Sequence, residues 1–289
     1  MPTRRVLVTG AAGQLGGVIR ELFGDGGDDV TALTRVELDL TEHDAVLRAV
    51  RDAQPNLMVN CAAYNQVDAA EDDATSALAV NAFSVRSLAR AASDVGATFV
   101  HYSTDFVFDG RGAVPYTEEN QPSPQSVYGA SKLLGEWFAA DVPRAYVLRV
   151  ESLFGGRPAK SSVDRISDAI LDGREVPVFI DRTVSPSYVQ DVAGATRTLV
   201  DAEAPPGLYH CVNSGYGTWW ELAEEIGRQL GVTPKLKPVA VETVKLRAPR
   251  PKYCALSNTK LTDAGFTMPM WQDALGRYLK VRTDGRPRT

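Results

Sequence analysis

The fold of this chain is indicated by one run near its start, Arg4-Arg-Val-Leu-Val-Thr-Gly10-Ala-Ala-Gly13-Gln-Leu-Gly16. Its first half is a short β-branched stretch that ends in glycine, which predicts a buried strand. From Gln14 to Phe23 apolar residues recur at helical spacing, so a helix follows. Glycines between strand and helix allow a tight turn and a close approach to pyrophosphate, and the helix N-terminus supplies N–H groups to phosphate. The run predicts a dinucleotide-binding unit, with a bare turn as the alternative.

Strand and helix patterns alternate from this run as far as Val150. Strands are predicted at 4–10, 30–33, 57–60, 98–103 and 145–150, and helices at 14–23, 44–50, 74–95 and 126–140. Such alternation is typical of βαβ units, so we expect an α/β fold with a doubly wound parallel sheet of the Rossmann type.

The pattern loosens after Val150, which predicts a smaller C-terminal α/β lobe. We expect residues 1–150 to form the nucleotide-binding Rossmann domain and residues 188–200 to return to it. Residues 151–187 and 201–289 then form the substrate-binding lobe.

Composition excludes several classes of protein. The 289 residues carry a net charge of −5, with 44% hydrophobic and 23% charged residues, as in ordinary globular proteins. An acidic chain disfavours nucleic-acid binding. The three cysteines are widely spaced, so we expect no metal site and no disulfide framework. We see no signal peptide or membrane span and expect a cytoplasmic protein.

The residues after the second and third strands bear on the cofactor. An acid usually meets a free ribose 2′-hydroxyl there, but this chain has Thr34 and Arg35. A guanidinium suits a 2′-phosphate, which favours NADP over NAD unless Arg35 is merely a surface residue. Asp39 and Leu40 could contact the adenine side. Cys61, Ala62, Ala63 and Tyr64 end the third strand, where small residues let a cofactor lie close.

Tyr128 and Lys132 are four residues apart and share one face of a predicted helix. We expect the lysine charge to lower the pKa of the phenol, so that Tyr128 acts as a general acid near neutral pH while Lys132 bonds the nicotinamide ribose. Thr104 ends a strand at the same crevice and can orient a carbonyl. Asp105 either shares in proton delivery or caps the turn.

Together these motifs resemble the dTDP-4-dehydrorhamnose reductase family of the extended short-chain dehydrogenase/reductase superfamily. The resemblance is carried by residues 9–16, 60–64, 67–71, 80–81, 103–110, 128–132, 181–193 and 250–258. It implies NADPH-dependent reduction of the 4-keto group of a dTDP-linked 6-deoxysugar. It also implies that Tyr128 is the acid, that Lys132 and Thr104 assist, and that Asn81 supports the site.

The predicted site combines residue reasoning with this resemblance. The catalytic residues are Tyr128, Lys132, Thr104 and Asp105. The cofactor-binding residues are Gly10, Gly13, Gln14, Leu15, Gly16, Thr34, Arg35, Asp39, Leu40, Cys61, Ala62, Ala63, Tyr64, Asn81, Tyr128 and Lys132. The substrate-binding residues are Val67, Thr104, Asp105, Leu153, Pro186 and Arg250. The family often has a tryptophan after the catalytic helix, where this chain has Leu153 or Phe154, so the sugar is left open.

Two other functions remain as alternatives. The first is another nucleotide-sugar enzyme, an epimerase or a dehydratase. A dehydratase of this superfamily has an Asp-Glu pair after the threonine. Here Phe106 follows Asp105, so the second acid is missing. The second is a non-catalytic NADP-binding module that resembles the regulatory beta subunit of methionine adenosyltransferase. For partners we expect a nucleotide-sugar, no nucleic acid and no membrane, and we consider a homodimer.

Overall fold

The computed structural model of the protein describes residues 3–284. The strands are β1 (Arg5–Thr9), β2 (Asp29–Leu33), β3 (Leu57–Asn60), β4 (Thr98–Thr104), β5 (Ala145–Val150), β6 (Leu153–Phe154), β7 (Val176–Phe179), β8 (Thr183–Val184), β9 (Ser187–Tyr188), β10 (Gly207–His210), β11 (Gly217–Thr218) and β12 (Leu236–Val239). The helices are α1 (Gln14–Asp25), α2 (His43–Ala53), α3 (Val67–Asp72), α4 (Ala74–Leu78), α5 (Ser84–Val95), α6 (Val127–Ala140), α7 (Ser162–Leu171), α8 (Val189–Asp201), α9 (Trp219–Leu230), α10 (Thr259–Asp263) and α11 (Trp271–Asp284). No helix within the described range is both long enough and apolar enough to cross a membrane.

The central sheet has six strands in the order β10-β5-β4-β3-β1-β2, and every pair is parallel. Strand β1 lies between β2 and β3, so the sheet is extended first on one side of β1 and then on the other. In such a sheet the point of reversal opens a crevice at the carboxyl ends of the strands, where ligands bind. The predicted doubly wound Rossmann fold is confirmed.

Both faces of the sheet are covered, because neighbouring side chains on a strand point to opposite sides. Val6 and Val8 of β1 belong to an apolar core that they share with α1 and α8. Leu7 points the other way and packs with residues of α2 and α5. Burial on both faces explains why the predicted strands are continuously apolar rather than alternating.

The second half of the chain adds three two-stranded sheets, β6 with β9, β7 with β12 and β8 with β11. Helices α7, α9 and α11 share an apolar core there, which includes Ile166, Leu222 and Leu275. Helix α8 packs instead with α1 in the core of the main sheet. Strand β10 lies in the range that we assigned to the smaller lobe, yet it pairs with β5. The division into two domains stays a prediction.

The helix predicted over residues 74–95 is interrupted. A π-helical turn, Ala79–Phe83, separates α4 from α5. Turns of this kind add one residue to a helical turn and are often found at functional sites. The turn contains Asn81, whose contacts are described below. Apolar periodicity is nearly the same on either side of such a turn, so the sequence pattern did not reveal it.

Candidate active site

The glycine run forms a tight connection between β1 and α1. Gly10 has a φ of +69°, and a Cβ atom there would lie 2.5 Å from the backbone N of Ala62. A Cβ at Gly16 would lie 2.3 Å from the carbonyl O of Gly10. Both positions therefore require glycine, the first for its φ and both for close approach.

The N-terminus of α1 is available to an anion. Its N-cap, Gly13, offers no side chain to the free N–H groups, and the first turn holds no acidic residue. Uncapped N–H groups and the positive end of the helix dipole suit a pyrophosphate. This geometry fits the dinucleotide that the sequence predicts.

A cavity of about 390 Å³ opens beside this helix end, at the point where the sheet reverses. Ten of the predicted cofactor residues line it: Gly10, Gly13, Thr34, Arg35, Asp39, Leu40, Cys61, Ala62, Ala63 and Tyr64. The other lining residues were not predicted as cofactor contacts: Thr9, Ala12, Leu33, Leu38, Thr41, Asn65, Gln66, Val80 and Lys160. Lys160 is exposed and reaches the cavity from the segment that follows β6. No local pattern marks that lysine, since it meets the cavity only through tertiary folding.

An acid lies close to the end of β2 after all. The Glu37 carboxylate accepts hydrogen bonds from the Thr34 N–H at 2.7 Å and from the Thr34 hydroxyl. These bonds lower the pKa of Glu37, so it is ionised at neutral pH. Arg35 lines the cavity beside it and is exposed.

Four predicted cofactor residues support the crevice from outside this cavity lining. Gln14 Nε2 donates to the Gly155 carbonyl at 2.8 Å, which ties the end of β6 to α1. Leu15 is buried in the core under α1, and Gly16 packs against Gly10. Asn81 holds the backbone of Tyr64, accepting from its N–H at 2.8 Å and donating to its carbonyl at 2.9 Å.

Tyr128 and Lys132 lie one turn apart on α6. The helix begins after Ser126, whose side chain accepts from the Gly129 N–H. The Lys132 Nζ is buried and donates to the Tyr102 carbonyl at 2.6 Å. Burial lowers the pKa of Lys132 to about 8. Its charge favours the thiolate form of Cys61, which lines the cavity. The ammonium is therefore near the edge of the cofactor crevice.

The expected effect of Lys132 on Tyr128 is wrong. Burial and the charge of Asp105 raise the pKa of Tyr128 to about 12, against a smaller lowering by a hydrogen bond with Thr104. Desolvation disfavours the phenolate, and Lys132 is not among the groups that shift this pKa. The phenol is therefore held in its proton-bearing form throughout the neutral range.

Thr104 is the last residue of β4, and Asp105 begins a 3-10 turn, Asp105–Val107. The Thr104 hydroxyl donates to Asp105 Oδ1 at 2.9 Å and accepts from the Phe106 N–H at 3.3 Å. The Phe106 ring meets the Tyr128 ring edge-on, with centroids 5.5 Å apart. Both proposed roles of Asp105 stay open at this point, because it is hydrogen-bonded in the turn and also close to the phenol.

The predicted substrate residues approach the same place from both halves of the chain. Arg250 lies 5.9 Å from the centre of the Phe106 ring and pairs with Asp68 at 2.6 Å. Val67 begins α3 next to that aspartate. Arg182, which the sequence analysis missed, lies 5.9 Å from the same ring and donates to the Pro251 carbonyl at 3.1 Å.

The other two predicted substrate positions are less open. Pro186 is buried beside Ser185. Leu153 is half-buried and packs against the core of the main sheet. Phe154, the alternative to Leu153, is fully buried and stacks on Tyr188 at 5.4 Å, so Leu153 is the better candidate for a substrate contact.

Comparisons with known proteins agree over nearly the whole chain. The sequence matches the family described as RmlD substrate binding domain over residues 4–283. It is 33% identical to the spore coat polysaccharide biosynthesis protein SpsK of Bacillus subtilis, over 96% of this chain and 98% of that one. It is 38% identical to a dTDP-4-dehydrorhamnose reductase of Streptomyces griseus, over 95% and 92% of the two chains.

A solved structure agrees as closely. The crystal structure of dTDP-4-dehydrorhamnose reductase from Bacillus anthracis in complex with NADP gives a TM-score of 0.92 at 32% identity. The match covers 96% of this chain and 99% of that one.

Proposed function

The chain belongs to the RmlD substrate binding domain family, and we propose from this premise that it reduces the 4-keto group of a dTDP-linked 6-deoxysugar with NADPH. It is an NADP-dependent oxidoreductase. The observation that carries the proposal is the meeting of Tyr128, Lys132 and Thr104 at the carboxyl edge of the sheet, beside the cavity that opens at the glycine run.

Each residue has a defined task in this reaction. NADPH, when bound, supplies the hydride that reduces the carbonyl carbon. Tyr128 donates its phenolic proton to the carbonyl oxygen, and its raised pKa keeps that proton in place until negative charge develops there. Thr104 orients the carbonyl through its hydroxyl. Lys132 holds the ribose of the cofactor with its ammonium.

The substrate diphosphate needs cations away from the cofactor site. Arg250 and Arg182 supply them, because both guanidinium groups border the Phe106 ring that contacts Tyr128. Asp68 already neutralises part of the Arg250 charge. Arg182 forms no direct ion pair among the described residues, although Asp105 and Glu151 lie near enough for its charge to lower the pKa of both.

The experiment is a direct assay of the purified protein. NADPH consumption is followed with a dTDP-4-keto-6-deoxysugar, and the loss of the 4-keto group is checked in the product. The reductase proposal fails if the protein binds NADPH tightly but turns over no such sugar. That result would favour the regulatory module instead.

Several of the relatives are named as reductases, including a dTDP-4-keto-6-deoxy-D-glucose reductase of Streptomyces niveus at 34% identity. This supports a reductase over an epimerase, a dehydratase or a regulatory subunit. The particular sugar, the homodimer and the cytoplasmic location stay predictions.

A further inference from the structure

A second buried carboxylate lies beside the active site, and the proposed reaction gives it no task. Glu151 follows directly after β5 and is 2% exposed. Its Oε2 accepts the Ser185 N–H at 2.7 Å. Its Oε1 is buried, and no hydrogen-bond donor among the described residues reaches it. An ionised oxygen in that position would be costly, because it has lost water without gaining a donor.

Asp105 shares this buried place with Glu151. One carboxylate oxygen of Asp105, one of Glu151 and the Cys254 Sγ all lie within 4.8 Å of one another. Two carboxylates this close in a dry site do not both ionise readily, so the pair keeps one proton. Burial, and then the charge of Asp105, hold the pKa of Glu151 well above its usual range. Burial also raises the pKa of Asp105.

The groups that face this carboxylate pair do not cancel its charge. Arg182 is the cation that lowers the pKa of both members, and one cation balances one carboxylate. The Cys254 thiol donates to the Pro251 carbonyl at 3.3 Å, and burial keeps its pKa high, so it stays protonated. Tyr128 and Tyr253 are neutral, each with its pKa raised to about 12 chiefly by burial.

Thr104 connects the carboxylate pair to the phenol. Its hydroxyl is hydrogen-bonded to Asp105 at 2.9 Å. It is also a hydrogen-bond partner of the Tyr128 oxygen and lowers the pKa of that phenol. A hydroxyl has one proton and two acceptor sites, so it can take a proton from one neighbour while passing its own to another.

We propose that Asp105 and Glu151 share one proton and return it to Tyr128 through Thr104 after each reduction. The inference rests on the proposed function. The Tyr128 O–H bond breaks as the O–H bond of the product alcohol forms. The Thr104 proton then moves to the Tyr128 oxygen, and the proton of the pair moves to the Thr104 oxygen. The pair is left doubly negative and takes one proton from water. Glu151 acts through Asp105 and is a positioning residue.

The test is the pH dependence of kcat in Glu151→Gln, at saturating NADPH and dTDP-4-keto-6-deoxysugar. Glutamine keeps the shape and can accept the Ser185 N–H, but it cannot ionise. Asp105 then loses its like-charged neighbour, so its pKa falls and its proton is lost at lower pH. We expect the alkaline limb of the kcat–pH profile to move to lower pH by about one unit or more. We also expect kcat at pH 7 to fall about ten-fold and to recover toward pH 5.

The matched control is Cys254→Ala, which alters the same cluster without removing a carboxylate. It should not move the limb to lower pH, because the thiol hydrogen bond that it removes lowers the pKa of Asp105. A fluorescence titration with NADPH reports whether each variant is folded. An unmoved limb in Glu151→Gln, or a loss of kcat that is the same at every pH, overturns the inference.

Asp105→Asn provides a second measurement if Glu151→Gln does not bind NADPH. It breaks the route itself, so we expect a lower kcat at every pH from 5 to 10, and unchanged turnover would overturn the inference as well. Absence of turnover in the wild type would instead count against the proposed function. The two failures are therefore distinguishable.

Discussion

Tyr128→Phe removes one oxygen atom from the active site and leaves the ring in place. The edge-on contact with Phe106 is kept, and the Thr104 hydroxyl keeps its bond to Asp105 at 2.9 Å. No buried donor is left without a partner, so we expect the free energy of unfolding to change by no more than about 1 kcal/mol.

The effect on the reaction should be far larger. With a pKa of about 12, only about one phenol in 10⁵ is ionised at pH 7, so the wild type holds its proton donor in the active form. Loss of a positioned general acid typically costs about 10²–10⁴ in rate, which corresponds to about 2.7–5.5 kcal/mol of barrier. We expect kcat for a dTDP-4-keto-6-deoxysugar to fall at least ~100-fold.

The assay follows NADPH absorbance under saturating substrate, beside a fluorescence titration of NADPH binding. Binding should change little, because the glycine run, Arg35 and Lys132 remain. Tyr146→Phe is the matched control: it removes a phenol that donates to the Ala204 carbonyl at 2.6 Å, near the start of β5 and away from the carboxyl edge. Turnover close to wild type in Tyr128→Phe would refute the assignment of the acid and would turn attention to Asp105.

Four further predictions concern the cofactor, the substrate and the core. Arg35→Ala should narrow the preference for NADPH over NADH by about ten-fold to a hundred-fold, measured as a ratio of Kd values; equal binding of both cofactors by the wild type would contradict it. Arg250→Ala should raise KM for the nucleotide-sugar more than it lowers kcat, and an unchanged KM would make this arginine a structural partner of its aspartate. NADPH binding should weaken about ten-fold between pH 7 and pH 10, because Lys132, with a pKa of about 8, loses its charge as the pH rises through that value; a pH-independent Kd would count against the ribose contact. Glu136→Ala should lower the free energy of unfolding by about 3–5 kcal/mol in a denaturant titration, because it leaves Arg149, paired at 2.7 Å and buried, without a counter-charge; a loss below 1 kcal/mol would refute this.

The sequence is enough to predict five of the six strands of the main sheet, β1 to β5, and the edge of the sheet at which the cofactor crevice opens. Both follow from local rules: a buried parallel strand is continuously apolar, a helix repeats every 3.6 residues, and a glycine run between them admits a phosphate. Tyr128 and Lys132 also lie on one helix face, as their spacing requires. These features depend on residues that are neighbours in the chain.

The tertiary structure alone decided which distant groups meet. Arg250 and Asp68 are 182 positions apart and form an ion pair, and Glu151 reaches Asp105 only because β4 and β5 are adjacent in the sheet. Strand β10 joins that sheet after more than fifty residues of intervening chain. The sign of the Tyr128 pKa shift was likewise beyond the sequence, because desolvation depends on every atom packed around a group and not on the residue four positions away.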